Sequence, residues 1–196
     1  MKGVFRGAAA SAVALFIFAL PAAGADTAAG EKRAGVCAAC HGAGGNSTDP
    51  AAPTIAGQPA QFIAMSLYMF REGNRKNAEM TPMATGLSHT EMNDLAAYFA
   101  AQNPQPSKHR ARPENAEAGP GLARKFSCTQ CHGLRLLGQQ HIPRLAGQQF
   151  EYLRAQLRAF KTGARQDLDG KMSESIQPLS DKEIDVLADY IAGLGI

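Results

Sequence analysis

The sequence predicts an all-α protein built from two tandem, homologous domains, and three observations carry that expectation. The first is an internal repeat that keeps its order along most of the chain. The second is apolar residues spaced for helix faces, led in both copies by the same N-terminal capping signal. The third is the lack of period-2 alternation in the Gly- and Pro-rich stretches between those faces, which leaves little room for sheet.

The repeat is read directly. Cys37-Ala-Ala-Cys40-His41-Gly42 recurs as Cys128-Thr-Gln-Cys131-His132-Gly133. Pro53-Thr-Ile-Ala-Gly57-Gln58 recurs as Pro143-Arg-Leu-Ala-Gly147-Gln148, and Phe70-Arg-Glu-Gly73-Asn-Arg75 as Phe160-Lys-Thr-Gly163-Ala-Arg165. Met80, seven residues before Leu87, matches Met172, seven before Leu179. A first helix is expected over 28–39 and again over 122–130, and a middle helix over 60–71 and 149–161. The last helix opens at Ser88-His-Thr-Glu91 and at Ser180-Asp-Lys-Glu183, where the serine hydroxyl accepts from the third amide and the glutamate reaches back. Leu95, Tyr98 and Phe99 then share a face, as do Ile184, Leu187, Tyr190 and Ile191. The domains are placed at 26–103 and 119–196. Between them, 104–118 reads as a semi-extended linker rich in proline and charge. At the entry to the second domain, Gly119-Pro120-Gly121 is expected to shorten its first helix.

Residues 1–25 are set apart. Lys2 and Arg6 precede an apolar run from Ala8 to Leu20, then Pro21 and the small residues Ala23-Gly24-Ala25. That is the pattern of a secretory signal peptide cut after Ala25, and the run is short for a bilayer span of about 20 residues. The expected location is therefore the periplasm. Residues 26–103 hold five basic and seven acidic side chains, and residues 104–196 hold thirteen and ten. So even a balance excludes a nucleic-acid binder by charge, and its unevenness suits an oriented encounter with a charged protein partner.

Four cysteines in an exported chain would ordinarily read as disulfides. Here all four fall in Cys-x-x-Cys-His, the attachment motif of c-type haem. Cysteines three apart on one helical turn project to the same side and can form thioethers with two vinyl groups on one porphyrin edge. Cys37 and Cys40, and Cys128 and Cys131, are the expected covalent attachment residues. His41 and His132 are the expected proximal ligands of two haem irons. A four-cysteine zinc site would leave both histidines idle, and a redox dithiol belongs to a βαβ setting that this pattern lacks. A methionine opposite histidine favours electron transfer. Met172 is the only methionine of the second domain, and the repeat points to Met80 rather than the neighbouring Met83 in the first. Met65, Met69 and Met92 read as packing. His89, His109 and His141 read as residues without a ligand role, the first two at the surface. A ligating histidine usually donates its other N–H to a carbonyl, and the Pro53 and Pro143 carbonyls are the expected acceptors.

With these residues the chain resembles the diheme class I cytochromes of the cytochrome c4 type over essentially all of 26–196. The resemblance implies two cytochrome c-type domains related by pseudo-twofold symmetry, with haems near their shared interface. It implies His/Met ligation by His41 with Met80 and His132 with Met172. It further implies a soluble or loosely membrane-attached carrier in a respiratory chain. Such a carrier takes electrons from a cytochrome bc complex or a dehydrogenase and delivers them to a terminal oxidase, breaking no substrate bond. The competing readings are a diheme subunit of a flavoprotein (sulfide) dehydrogenase, and a diheme peroxidase, against which the two methionine repeats argue.

Overall fold

In the computed structural model, residues 24–196 are described; the signal segment read at the N-terminus falls outside them except for its last two positions. Among the described residues the regular structure is helical, and the only β pairing is an isolated bridge between Gln139 and Ile142. The first domain contains α1 (Thr27–Ala34), α2 (Ala38–His41), α3 (Ala60–Arg71), α4 (Met80–Ala84) and α5 (His89–Ala100). The second repeats the order with α6 (Pro113–Lys125), α7 (Cys128–His132), α8 (Phe150–Thr162), α9 (Lys171–Ile176) and α10 (Asp181–Ala192).

Within each domain the last helix is the centre. α5 packs against α1 and α3, and α10 against α6 and α8. The first of these crossings needs a glycine. A Cβ on Gly30 would lie 2.1 Å from the Asp94 carbonyl oxygen, and one on Gly119 would lie 2.2 Å from Tyr190 Cγ. Gly119 therefore serves helix packing and does not end the helix. The first helix of the second domain is longer than its Gly-Pro-Gly predicts. It starts at Pro113, inside the segment read as linker, because proline at the first helical position needs no donor and has its φ preset. Pro120 removes one intrahelical bond, yet the helix continues through it, with Ala123 buried beyond. Replacing Gly119 with alanine is expected to force the crossing apart and destabilise the second domain by about 1–3 kcal/mol, read as a shift in denaturant midpoint.

The first helices also break where one continuous helix is expected. In the first domain α1 ends at Ala34 and α2 begins at Ala38; in the second, Ser127 takes a left-handed φ of 59° between α6 and α7. Each break releases the Cys-x-x-Cys-His turn from the axis of the helix before it.

Both capping boxes form. The Ser88 hydroxyl accepts from the Glu91 amide (3.2 Å) while the Glu91 carboxylate accepts from the Ser88 amide (2.8 Å), and Ser180 with Glu183 does the same at 3.2 and 2.9 Å. Lys125 Nζ also donates to Glu183 at 2.9 Å. That bond first, then the Ser180 amide and hydroxyl, holds the Glu183 carboxyl down at about 2. A folded-state value below the unfolded one of about 4.3 means the contact is complete at neutral pH and fades only as pH falls through about 2. Lys125→Met is expected to raise the Glu183 midpoint toward the ordinary glutamate range in a carboxyl NMR titration.

The linker is tied down by α10. Asp189 accepts from His109 Nε2 (2.7 Å), the Arg112 amide (3.0 Å) and Asn115 Nδ2 (2.7 Å). Burial alone would raise the Asp189 carboxyl; these donors outweigh it and hold the group below its usual range. In the first domain a different α5 carboxylate ties the chain start: Asp94 accepts from the Asp26 amide at 2.7 Å. His109 is thus not the free surface residue the sequence predicts: its ring is half-buried and stacks on Phe150 at 5.2 Å.

Candidate functional site

The two Cys-x-x-Cys-His segments fold alike because a single helical turn is all they need. In the first, the His41 amide donates to the Cys37 carbonyl at 2.9 Å, closing the turn of α2; α7 spans Cys128–His132. Each turn presents one half-buried thiol (Cys37, Cys128) and one exposed thiol (Cys40, Cys131), and all four are free of disulfides. The histidine at the end of each turn points inward, and His41 and His132 are each 7 % exposed.

The imidazoles are oriented. His41 Nδ1 lies 2.8 Å from the Pro53 carbonyl oxygen, and His132 Nδ1 lies 2.8 Å from that of Pro143. A carbonyl can only accept, so Nδ1 carries the proton and Nε2 keeps its lone pair. Burial pushes both imidazoles below their ordinary pKa, against the raising effect of the proline carbonyls. Neutral imidazole with Nε2 free is the form a metal requires. Burial also pushes the Cys37 and Cys128 thiols up, the opposite of an activated redox dithiol. Among the described residues no three His, Cys, Asp or Glu side chains gather to hold a bare metal ion, so the cysteines do not converge as a zinc site. Two thiols and one aimed, neutral imidazole per domain are a donor set that fits a covalently held haem.

The methionines sit on short helices that sequence periodicity does not resolve. Met80 opens α4, half-buried, with its amide bonded to Asn77 Oδ1 at 2.7 Å, while Met83 is 46 % exposed. Met172 lies half-buried on α9 against the second core, with its amide bonded to Asp167 at 2.8 Å. Met69 and Met92 are buried and Met65 is half-buried. His89 is exposed, stacked on Tyr68 at 6.0 Å, and His141 is exposed.

Sequence reasoning misses the residues that join the two sites. Gln58 Nε2 donates to the Arg144 carbonyl and Gln58 Oε1 accepts from the Arg144 amide, both at 2.9 Å. Gln148 does the same to Thr54, both bonds at 2.8 Å. Thr54 and Arg144 each follow the proline that accepts from a histidine. Each domain thus grips, through one glutamine, the loop that orients the other domain's imidazole. The signal was in the sequence: both glutamines end the repeated Ala-Gly-Gln.

The cytochrome c family model matches residues 27–102 and 116–195. Cytochrome c4 of Pseudomonas aeruginosa is 38% identical over 183 residues, covering 88% of this chain and 90% of that protein. The thiosulfate dehydrogenase electron acceptor of Thiomonas intermedia is 36% identical, covering 87% and 84%. Reduced recombinant cytochrome c4 from Pseudomonas stutzeri superposes with a TM-score of 0.80 at 35% identity, covering 87% of this chain and 99% of that one.

Proposed function

The chain belongs to the cytochrome c family, in its two-domain cytochrome c4 group, and from that premise we propose that it relays single electrons between protein partners in the periplasm. It is an electron-transfer cytochrome with two haem c groups. A bound haem iron gains and loses one electron without making or breaking a substrate bond. In our reading Cys37, Cys40, Cys128 and Cys131 hold the haems covalently. His41 and His132 ligate the irons on one side, and Met80 and Met172 on the other.

The observation that carries this assignment is the doubled histidine–proline contact. Two buried imidazoles in equivalent places, each with Nδ1 committed to a carbonyl, are held at fixed orientation with Nε2 available. The donor is a cytochrome bc complex or a dehydrogenase and the acceptor is a terminal oxidase. Export rests on the signal pattern in residues 1–25, and no helix among the described residues is long and apolar enough to cross a membrane.

A second reading is favoured by one finding, the likeness to an electron acceptor of thiosulfate dehydrogenase: the chain then accepts electrons from a sulfur-oxidising dehydrogenase, as a partner or as a subunit. Stopped-flow reduction of the purified two-haem protein tests both. Rapid reduction by a bc complex and oxidation by a terminal oxidase supports the relay. Reduction by a thiosulfate or sulfide dehydrogenase alone supports the second reading, and peroxide turnover by the unmodified protein overturns both.

A further inference from the structure

The methionine segments have to be held, because a thioether side chain with three rotatable bonds does not aim itself. α4 and α9 are five and six residues long, well below the length at which a helix is stable alone. Each is instead fastened at both ends. At the exit a cation of the middle helix binds the backbone. Arg71 Nη1 donates to the Leu87 carbonyl at 2.7 Å, and its repeat counterpart Lys161 donates through Nζ to the carbonyls of Gln177 (3.0 Å) and Leu179. At the entrance an Asn or Asp side chain accepts from the methionine's own amide: Asn77 Oδ1 from Met80 at 2.7 Å, and Asp167 Oδ2 from Met172 at 2.8 Å. The two caps hold the same place in the repeat, two residues after Arg75 and Arg165. The second domain has two more residues between cap and methionine, and within them Gly170 takes a left-handed φ of 71°. The cap reaches the methionine amide in spite of that insertion.

The two fastenings are unequal. Asp167 also accepts from the Ser173 amide at 3.1 Å and from the Ser173 hydroxyl at 2.6 Å. Three bonds therefore converge on one half-buried carboxylate, and hydrogen bonds to an ionised acceptor are the stronger kind. Asn77 is exposed and meets the Met80 amide with a neutral bond. Thr81, in the place of Ser173, instead accepts from the Asn77 amide through its hydroxyl oxygen at 3.2 Å. The apolar seating differs in the same direction. Ile176 fixes α9 in the second core at 2 % exposed, whereas its counterpart on α4 is the smaller Ala84. Leu179 is buried, whereas its counterpart Leu87 is half-buried. More apolar surface removed from water holds the segment of Met172 more firmly than that of Met80.

We propose that Asn77 and Asp167 are positioning residues that hold the sulfurs of Met80 and Met172 toward the irons, and that their unequal hold makes the first domain the one that exchanges its sulfur for an external nitrogen ligand. This rests on the reading of Met80 and Met172 as iron ligands. The caps touch neither sulfur; they act through the backbone. With the amide tied, the methionine side chain starts from a fixed point and direction. With the amide free, the short helix frays and the sulfur faces its target for a smaller share of the time. The exchange is balanced: the thioether leaves with its lone pair, an imidazole nitrogen brings one in, and no electron changes hands.

The test adds imidazole stepwise, at one fixed pH, to the oxidised two-haem protein carrying ¹³C at its methionine methyls. Iron-shifted methyl signals and the near-infrared sulfur-to-iron band are the readouts, and Met80→Leu and Met172→Leu assign the signals to their domains. The first-domain signal is expected to vanish at about tenfold lower imidazole than the second, the factor one ordinary hydrogen bond supplies. Asp167→Ala is expected to lower the second-domain midpoint by about tenfold or more, and Asp167→Asn, which keeps an acceptor, to restore part of it. Asn77→Asp is expected to raise the first-domain midpoint. Ser180→Ala, which removes the cap of α10, is the control: it lowers the unfolding midpoint and leaves both imidazole midpoints in place. Should Asp167→Ala fail to fold, Asp167→Asn and Asn77→Asp decide the matter. Coincident wild-type midpoints, a second-domain signal that vanishes first, or midpoints unmoved in the cap variants overturn the proposal. The failures are separable: a wild-type protein without iron-shifted methionine methyls sinks the ligand reading, whereas two such methyls with unmoved midpoints sink only the positioning role.

Discussion

Replacing Cys128 and Cys131 together with alanine is expected to reduce the haem content from two per chain to one, measured as pyridine haemochrome per mole of protein and as an intact mass lower by one haem. The effect extends beyond the lost chromophore. The second core contains Leu153, Leu157, Ile184, Leu187 and Ile191, all buried, but a domain of about 80 residues is marginal on apolar burial alone. Without the porphyrin the buried imidazole of His132 is a desolvated polar group lacking a partner at Nε2. The second domain is therefore expected to lose its cooperative unfolding transition while the first keeps its own haem. Two haems in the double variant would mean that these thiols are not the attachment points.

The second large effect is expected at the seam. Truncating Gln58 and Gln148 to alanine removes four hydrogen bonds of 2.8–2.9 Å. It leaves the backbone N–H and C=O of Thr54 and Arg144, both buried residues, without those partners. At about 1–3 kcal/mol for each orphaned group, the pair of substitutions is expected to cost about 4 kcal/mol or more. The change is also one of kind. A protein whose domains unfold together is expected to unfold in two separate steps, seen as a split transition in denaturant followed by haem absorbance and by circular dichroism. One unsplit transition at the wild-type midpoint would show that the glutamines do not couple the halves.

Much of this architecture was legible in the residues. The repeat announced two copies of one helical fold, and the capping serines marked the starts of α5 and α10. The apolar spacing of Ala60–Arg71 located α3, whose bounds the structure reproduces. These features are local: a capping box or an amphipathic face is complete within four to twelve residues. What escaped the sequence depends on distant partners. Gly119 looks like a helix breaker until Tyr190 lies against it. His109 looks free until Asp189 and Phe150 are beside it. Arg75 and Arg165 look equivalent because the repeat aligns them, and only the folded chain brings both to Gln156 of the second domain. The same holds for the turns that carry cysteine and histidine. Motif spacing predicted that each pair shares a face, but the break at Ser127 follows from a left-handed residue that no periodicity marks.

The glutamine grips have a consequence for ancestry. Gln58 reaches Arg144 and Gln148 reaches Thr54 in the same way, so the surface one half offers is the surface the other half offers back. Such an isologous contact is what a homodimer of single-haem units would make. The tether through residues 104–112 then acts chiefly by raising the effective concentration of one half for the other. Covalent fusion frees the two copies to diverge, and Tyr152 opposite Phe62 is one place where this chain has already done so.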